Sequence, residues 1–169
     1  MRHNGIAFFD MDGVLANCGH RLHYIDEGDY DSFYADENIW LDALFGTGLT
    51  LLEMFKAQGY KIVIVTSRRE SCRAATLRWL DDALMTYFKS EDLYMRSNGD
   101  LRKSWEVKKD LLEKALQDNM KSYNSSGLNF FVDDYPKNCQ MVAENFSDKI
   151  QPIIFGLGRI NDDDNIQIQ

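Results

Sequence analysis

The sequence predicts an α/β protein with a three-layer, Rossmann-like fold, in which helices cover both faces of a mostly parallel central sheet. Two observations predict it. Short apolar runs alternate along the chain with amphipathic stretches of helical period. The strongest of these runs also end directly in charged residues, as buried parallel strands do. At 169 residues and 44% apolar side chains, the chain can bury one proper core.

The first half of the chain is expected to form two strands and two helices. GIAFF (5–9) is an apolar run that stops at charge, so it predicts a buried strand. A helical pattern covers 44–57, and Gly59 closes it as a C-terminal glycine. KIVIV (61–65) is apolar and β-branched, which favours a second buried strand. Apolar residues on one face then predict a helix over about 70–87.

The second half continues the alternation. DLYM (92–95) is a weaker strand, and WEVKKDLLEKAL (105–116) is an amphipathic helix. LNFFV (128–132) is another strong strand that ends at two aspartates. Proline suits the first turn of a helix over 136–146, and PIIF (152–155) is the last strand. Helices between successive strands indicate parallel pairing.

One domain is expected over residues 1–160, followed by a polar C-terminal tail over 161–169. Residues 17–42 are polar and lack a clear long helix, so we expect a small flap or minimal cap there. No other interval has room for a large cap. The site is therefore expected to be open, and the oligomeric state is left undetermined.

Composition excludes several classes of function. The net charge of −8 disfavours non-specific binding to nucleic acid or anionic lipid. No apolar run approaches the roughly 18 residues that span a bilayer, so no membrane partner is expected. Three cysteines without CxxC spacing favour reduced thiols in a cytoplasmic setting over a disulfide framework or a zinc site.

Polar side chains follow three of the expected strands, and parallel sheets bind ligands outside their carboxyl ends. These residues are Asp10 and Asp12 after the first strand, Thr66 and Ser67 after the second, and Asp133 and Asp134 after the fourth. Each pair alone more often marks a turn or a helix start. Together, four carboxylates at one edge require a cation, and oxygen ligands without thiolate or histidine suit Mg²⁺. Thr66 and Lys108 could hold the remaining phosphate oxygens.

FFDMDGVLA (8–16) resembles the first motif of the haloacid dehalogenase-like phosphohydrolases, hhhDxDGxhx. A strand ending in Thr66, the lysine in EVKKDLL and VDD (132–134) follow in that superfamily's order. A narrower resemblance is to phage-type phosphatases akin to the 3′-phosphatase domain of polynucleotide kinase. It is carried by HRLHYID…DYDSFY, VTSRRE, LRWL, LYMRSNGDLRKSWEVK and FVDDYPKN.

The resemblance implies a role for each motif residue. Asp10 would be the nucleophile that forms an aspartyl-phosphate, and Asp12 would protonate the leaving alcohol and later deprotonate water. Thr66 would donate its hydroxyl to the phosphoryl group. Lys108 would screen negative charge, with its neighbour Lys109 as the alternative. Mg²⁺ would be held by Asp10, Asp12, the backbone carbonyl of Met11, Asp133 and Asp134.

Substrate binding is assigned to residues beside these motifs: Gly13, Arg21, Ser67 and Arg68. Further basic residues follow Arg68, which would grip backbone phosphates if they face the crevice. They are Arg69, Arg73, Arg78, Arg96, Arg102 and Lys103, of which Arg73 and Arg78 are more simply explained as a solvated helix face. The aromatic residues of the flap could stack a base or seat the flap on the core; both remain open.

Three functions remain in view. The first is a Mg²⁺-dependent phosphomonoesterase acting on nucleic-acid 3′-phosphate ends, which an open site would admit. The second is a phosphatase of free nucleotides or other small phosphomonoesters. The acidic flap is awkward for a nucleic-acid groove but not for these smaller substrates. The third is a non-catalytic binding module. No G-x-x-x-x-G-K-[ST] loop occurs, so a kinase half is not expected.

Overall fold

The computed structural model describes residues 4–119 and 127–156. In chain order, the strands are β1 (Ile6–Phe9), β2 (Ala16–Asn17), β3 (Ala43–Leu44), β4 (Lys61–Arg69), β5 (Leu93–Arg96), β6 (Asn129–Asp133) and β7 (Ile150–Ile154). The α-helices are α1 (His23–Asp26), α2 (Tyr30–Phe33), α3 (Asp36–Ile39), α4 (Gly46–Ala57), α5 (Arg73–Leu84), α6 (Ser104–Asn119) and α7 (Pro136–Asn145).

Five strands form one parallel sheet in the order β5-β4-β1-β6-β7. The chain builds outward from β1 to β4 and β5, then returns to the other side of β1 for β6 and β7. The strand order therefore reverses around β1, and parallel sheets bind ligands at such a switch point. The predicted α/β fold is confirmed.

Both faces of the sheet are covered, because successive side chains of a strand point to opposite faces. Phe9 packs in a cluster with Leu52 of α4 and Leu80 of α5. Phe8 packs in the other cluster, with Leu112 of α6 and Val142 of α7. These two layers hold β1 rigidly, so the residues that follow it are presented by a buried scaffold.

Strand β4 and helix α5 differ most from the bounds predicted from sequence. Strand β4 continues to Arg69, since its pairing with β5 resumes there after a shift in register beyond Thr66. The helix predicted over 70–87 begins with a 3₁₀ turn, Glu70–Cys72, and ends earlier, where Met85 adopts a left-handed conformation with φ 48°. The extension of β4 carries Ser67 and Arg68 along the sheet edge.

The flap predicted at 17–42 consists of a 3₁₀ turn and the four-residue helices α1, α2 and α3. Phe33 and Tyr34 are buried against the core, so these two rings seat the flap on the core. Trp40 is half-exposed, with the Arg78 guanidinium 5.1 Å from its ring centroid. The tail predicted at 161–169 lies outside the described residues. Among the described helices, none combines the length and apolarity needed to cross a bilayer.

Candidate active site

The candidate site lies where β1, β4 and β6 end. The backbone amide of Asp10 donates to the carbonyl of Val132 at 2.9 Å, so the first aspartate is still tied to β6. A tight turn follows, in which the Met11 carbonyl accepts the amides of Leu15 at 2.9 Å and Ala16 at 2.8 Å. These bonds occupy the carbonyl's lone pairs. The Met11 oxygen is thus engaged in the turn, and its predicted role as a metal ligand stays a prediction.

An acidic cluster forms beside the end of β1. Asp10, Asp133 and Asp134 each offer a carboxylate oxygen, and these atoms lie within 4.8 Å of one another. The buried Lys108 ammonium from α6 lies 2.7 Å from Asp10 and 2.6 Å from Asp133. Lys108, and not its neighbour Lys109, is thus the lysine at the cluster. One ammonium faces three carboxylates, so the cluster carries excess negative charge.

The pKa of Asp10 rises to about 8. Burial is the main cause, the attraction of Lys108 opposes it, and repulsion from Asp133 and Asp134 adds to it. Burial alone would lower the pKa of Lys108, but the nearby carboxylates raise it, so the lysine stays charged. An all-oxygen cluster with uncompensated charge fits a hard divalent cation such as Mg²⁺.

Asp133 is oriented by several donors. Its oxygens accept the Tyr135 amide at 2.8 Å and the Asn138 amide nitrogen at 3.0 Å. The Oδ1 atom of Asn138 is buried and, within the described part of the chain, has no hydrogen-bond partner. Sequence reasoning missed Asn138, although it stands in the quoted segment FVDDYPKN. The signal was its position on the first turn of the helix that follows the aspartates.

Gly13 makes room for Asp134. A Cβ atom at Gly13 would lie 2.0 Å from Asp134 Oδ2, and the backbone there has a φ of +88°. Both facts require glycine. Gly13 was predicted to bind substrate. The structure brings it against the acidic cluster, where its effect is to let the carboxylate approach the main chain.

Asp12 lies apart from the acidic cluster and contacts two arginines. Arg21 Nη2 donates to its Oδ1 at 2.7 Å. Arg68 donates from Nε to Oδ2 at 3.0 Å and from Nη2 to Oδ1 at 2.6 Å. The Asp12 side chain keeps 20% of its surface exposed and lines the cleft. Both carboxylate oxygens of Asp12 are thus engaged by arginines, and its predicted metal role stays a prediction.

Both arginines are fully buried and also contact a second carboxylate, Asp42, which sequence reasoning missed. Nothing in its local sequence distinguishes it from other acidic residues. Burial acts to lower the pKa of Arg68, but attraction to Asp12 and Asp42 outweighs it and raises the pKa above the ordinary range. Arg21 and Arg68 were predicted to bind substrate. Here they support Asp12, since their nitrogens lie on carboxylates instead of an open groove.

The second strand end contributes hydroxyl groups. Thr66 is buried, and its Oγ1 accepts the Arg68 amide at 3.2 Å. The hydroxyl groups of Ser67 and Ser104 lie 2.7 Å apart. All three side chains line the cleft that Asp10, Asp12 and Lys108 share. Ser104, at the start of α6, was not singled out from sequence.

The cleft is small. Its volume is about 50 Å³, and Tyr34 from the flap forms part of its wall. Burial, followed by the charge of Asp12, raises the pKa of Tyr34 to about 12, so its hydroxyl remains protonated. Sites that enclose a small molecule usually exceed about 300 Å³. The cleft has room for a group the size of a phosphoryl, and the rest of any substrate must lie outside it.

Most of the basic residues after β4 are engaged in internal contacts. Arg73 pairs with Glu70, and Arg102 pairs with Asp100 and Asp110. Arg96 is buried and donates to the carbonyls of Ser67, Asp100 and Arg102. They do not form the open basic groove considered from the sequence.

Arg69 differs in its position, since it packs on two aromatic rings of the flap, and 23% of its side chain is exposed. Its guanidinium lies 5.5 Å from the ring centroid of Tyr30 and 5.2 Å from that of Tyr34. The fully exposed Asp31 is 3.7 Å away. Because Tyr34 also lines the cleft, Arg69 is a partly accessible cation at its rim.

A sequence model of the polynucleotide kinase (PNKP) phosphatase domain matches residues 4–151. That match covers most of the chain and includes the ends of β1, β4 and β6. No curated protein matches the sequence.

Solved structures share the fold. A chain of the Pnkp1/Rnl/Hen1 RNA repair complex is 24% identical with a TM-score of 0.65, over 90% of this chain and 43% of that one. This chain therefore spans less than half of that relative. The haloacid dehalogenase-like protein SP0104 from Streptococcus pneumoniae is 16% identical (TM-score 0.61; 90% and 85% covered). The class C acid phosphatase from Bacillus anthracis is also 16% identical (TM-score 0.55; 91% and 67% covered).

Proposed function

Because the chain belongs to the family of polynucleotide kinase phosphatase domains, we propose that it removes 3′-phosphates from nucleic-acid ends in a Mg²⁺-dependent reaction. Family membership makes it a phosphomonoesterase of the haloacid dehalogenase type; the metal and the substrate are the proposal. One observation carries it: Asp10, Asp133 and Asp134 converge beside Lys108, and Asp10, Asp134 and Lys108 line a cleft that Asp12 also lines.

Asp10, Asp133 and Asp134 would hold the metal. Their oxygens are close enough to share one ion, and these three carboxylates face a single ammonium, that of Lys108. When bound, Mg²⁺ supplies positive charge that offsets repulsion between the carboxylate and the phosphate. Lys108 would add to this positive charge, since its ammonium contacts Asp10 and Asp133 directly.

Two aspartates then divide the chemistry. Asp10 forms a bond to phosphorus while the bond from phosphorus to the leaving oxygen breaks, and Asp12 transfers its proton to that oxygen. In the second half-reaction, water attacks the aspartyl-phosphate, Asp12 takes a proton from the water, and inorganic phosphate leaves. The separate settings of the two side chains support this division. Asp10 lies with Lys108, whereas Asp12 lies with Arg21 and Arg68.

Thr66, Ser67 and Lys108 would hold the phosphoryl oxygens. All three line the cleft, and Lys108 already binds the attacking carboxylate. Fixed donors of this kind stabilise charge that develops on the oxygens in the transition state. The flap at 17–42 would cover one side of the same cleft through Tyr34 and Phe33.

The nucleic-acid end is favoured by Arg69, and the size of the cleft is compatible with it. A cleft of about 50 Å³ leaves the sugar, base and neighbouring nucleotides outside. Arg69 lies at the rim, where a phosphate further along a strand would pass, and Tyr30 beside it offers a ring to a base. The similar chain in the RNA repair complex is consistent with this substrate class.

Free nucleotides remain the second candidate. The flap exposes several acidic residues, among them Glu27, Asp31 and Glu37, which repel a polyanion more than a single nucleotide. This acidic surface is the specific observation in favour of the smaller substrate.

The test compares substrates that differ in one feature. A 3′-phosphorylated oligonucleotide, the same oligonucleotide with a 5′-phosphate, and 3′- and 5′-mononucleotides are assayed with Mg²⁺ and with EDTA. We expect kcat/KM to be highest for the 3′-phosphorylated oligonucleotide and activity to disappear with EDTA. Equal kcat/KM for the 3′-mononucleotide would instead assign the enzyme to free nucleotides.

Asp10→Asn is the matched variant, because it keeps the shape of the side chain and removes the nucleophile. We expect no detectable turnover. Asp110→Asn, on the exposed side of α6, serves as the control and should retain full activity. Equal turnover by Asp10→Asn and the wild type would refute the aspartyl-phosphate mechanism.

A further inference from the structure

Asp42, which follows α3, is held by hydrogen bonds to both its side chain and its main chain. Its carboxylate is fully buried and accepts Arg21 Nε and Nη2 at 2.8 Å each and Arg68 Nη2 at 2.5 Å. Its amide donates to the Ile39 carbonyl at 3.1 Å, and its carbonyl accepts the Trp79 indole at 2.8 Å.

The same two arginine nitrogens that contact Asp42 also contact Asp12. Arg21 Nη2 lies 2.7 Å from Asp12 and 2.8 Å from Asp42. Arg68 Nη2 lies 2.6 Å from Asp12 and 2.5 Å from Asp42. Two cations and two anions therefore form an alternating group without net charge. Only Asp12 reaches the cleft, so Asp42 is the inner anion and Asp12 the outer one.

The remaining partners of the arginines are neutral. Arg21 Nη1 donates to the Phe33 carbonyl at 3.1 Å, and Arg68 Nη1 lies 3.4 Å from the Thr76 hydroxyl. Without Asp42, two buried guanidiniums would share Asp12 as their single anion, leaving one uncompensated buried charge. They would turn toward any anion in the cleft, and the Asp12 carboxylate would follow them.

We propose that Asp42 is a positioning residue for the phosphatase reaction, which holds Arg21 and Arg68 so that they present Asp12 to the leaving oxygen. This inference rests on the proposed function, because it assigns Asp12 the proton transfer. Asp42 touches neither substrate nor reacting atoms. It acts through the arginines, and it joins the flap to the strand ends that carry the chemistry.

A positioning role for the proton donor has a measurable signature. An alkoxide leaving group needs the proton from Asp12 as the bond to phosphorus breaks, whereas p-nitrophenolate is stable without it. Displacing Asp12 therefore slows release of the alcohol far more than release of p-nitrophenol. Loss of folded protein lowers both rates equally, so their ratio is independent of the folded fraction.

The experiment measures kcat/KM of the wild type and Asp42→Asn for two substrates. One is a 3′-phosphorylated oligonucleotide, or the nucleotide that the enzyme prefers to it, and the other is p-nitrophenyl phosphate. kcat/KM reports the steps up to departure of the leaving group. We expect a fall of about 100-fold for the alkyl substrate and less than about fivefold for the aryl one. Glu37→Gln removes an exposed flap charge and should change neither value.

An equal fall for both substrates, or no fall, overturns the positioning role. If Asp42→Asn does not fold, Asp42→Glu is used. It keeps the four charged side chains neutral in sum but displaces the guanidiniums. The same change in the ratio of the two kcat/KM values is expected. A wild-type protein inactive toward every substrate overturns the proposed function itself, an outcome distinct from an unchanged ratio in an active enzyme.

Discussion

Arg68 holds both carboxylate oxygens of Asp12, with Nε 3.0 Å from Oδ2 and Nη2 2.6 Å from Oδ1. This two-point contact determines where the carboxylate points, because a planar fork leaves it little freedom to rotate. It also joins β4 to the turn after β1, two segments that meet at the switch point of the sheet. The proton donor of the proposed reaction is therefore oriented from a neighbouring strand.

The first prediction concerns this fork. Arg68→Lys keeps the charge but supplies a single point contact, so Asp12 should lose its orientation. We expect kcat/KM for the 3′-phosphorylated oligonucleotide to fall by about 100-fold. Arg102→Lys is the control, because Arg102 is half-exposed and pairs only with surface carboxylates among the described residues. A variant at Arg68 with wild-type kinetics would contradict the role of the fork.

The second prediction concerns the contact between Gly13 and Asp134. Gly13→Ala would place a methyl group 2.0 Å from the Asp134 carboxylate and displace it. We expect the Mg²⁺ concentration required for half-maximal activity to rise by about tenfold or more. Titration of activity with Mg²⁺ measures it.

Gly99→Ala is the matched control for that substitution. Gly99 also has a positive φ, +79°, but nothing lies within 4 Å of its added Cβ. Both variants therefore lose about 1–2 kcal/mol to backbone strain. Only Gly13→Ala should change the Mg²⁺ requirement, and an equal change in both would attribute it to strain.

The third prediction concerns the buried ammonium. Lys108→Gln leaves Asp10 and Asp133 without their cation, so the metal-free protein should lose about 3 kcal/mol of unfolding free energy. Added Mg²⁺ should raise the melting temperature of this variant more than that of the wild type, since it supplies the missing charge. Thermal melts with Mg²⁺ and with EDTA measure both effects.

Lys109→Gln is the neighbouring control and should change the unfolding free energy by less than about 0.5 kcal/mol. If Mg²⁺ raised the melting temperatures of Lys108→Gln and the wild type equally, the acidic cluster would not be the metal site.

The fourth prediction concerns substrate choice at the rim. Arg69→Gln removes the accessible cation beside Tyr30 and Tyr34. We expect KM for a 3′-phosphorylated oligonucleotide to rise about fivefold, with a weaker dependence on salt, and KM for a 3′-mononucleotide to stay constant. Arg73→Gln, whose side chain pairs with Glu70, is the control. An equal rise for both substrates would place Arg69 at the scissile phosphate instead.

The sequence was sufficient for the fold because buried parallel strands are recognisable as apolar runs that stop at charge. It was also sufficient to bring Asp10, Thr66 and Asp133 to one edge, since strand order and the switch-point rule place them there. It did not reveal that the Met11 carbonyl accepts hydrogen bonds from the amides of a tight turn.

The sequence did not predict which charged side chains form ion pairs. Asp42 is 21 residues from Arg21 and 26 from Arg68, and no periodicity links them. The sequence by itself determined the strand ends and the charged groups that they carry, because local pattern controls where strands stop. Only the tertiary structure decided that Lys108 pairs with Asp10, whereas Arg21 and Arg68 pair with Asp12. A buried charge without a partner costs free energy, so each buried charge is paired. The packing of the flap against β4 determines which oppositely charged side chain is close enough.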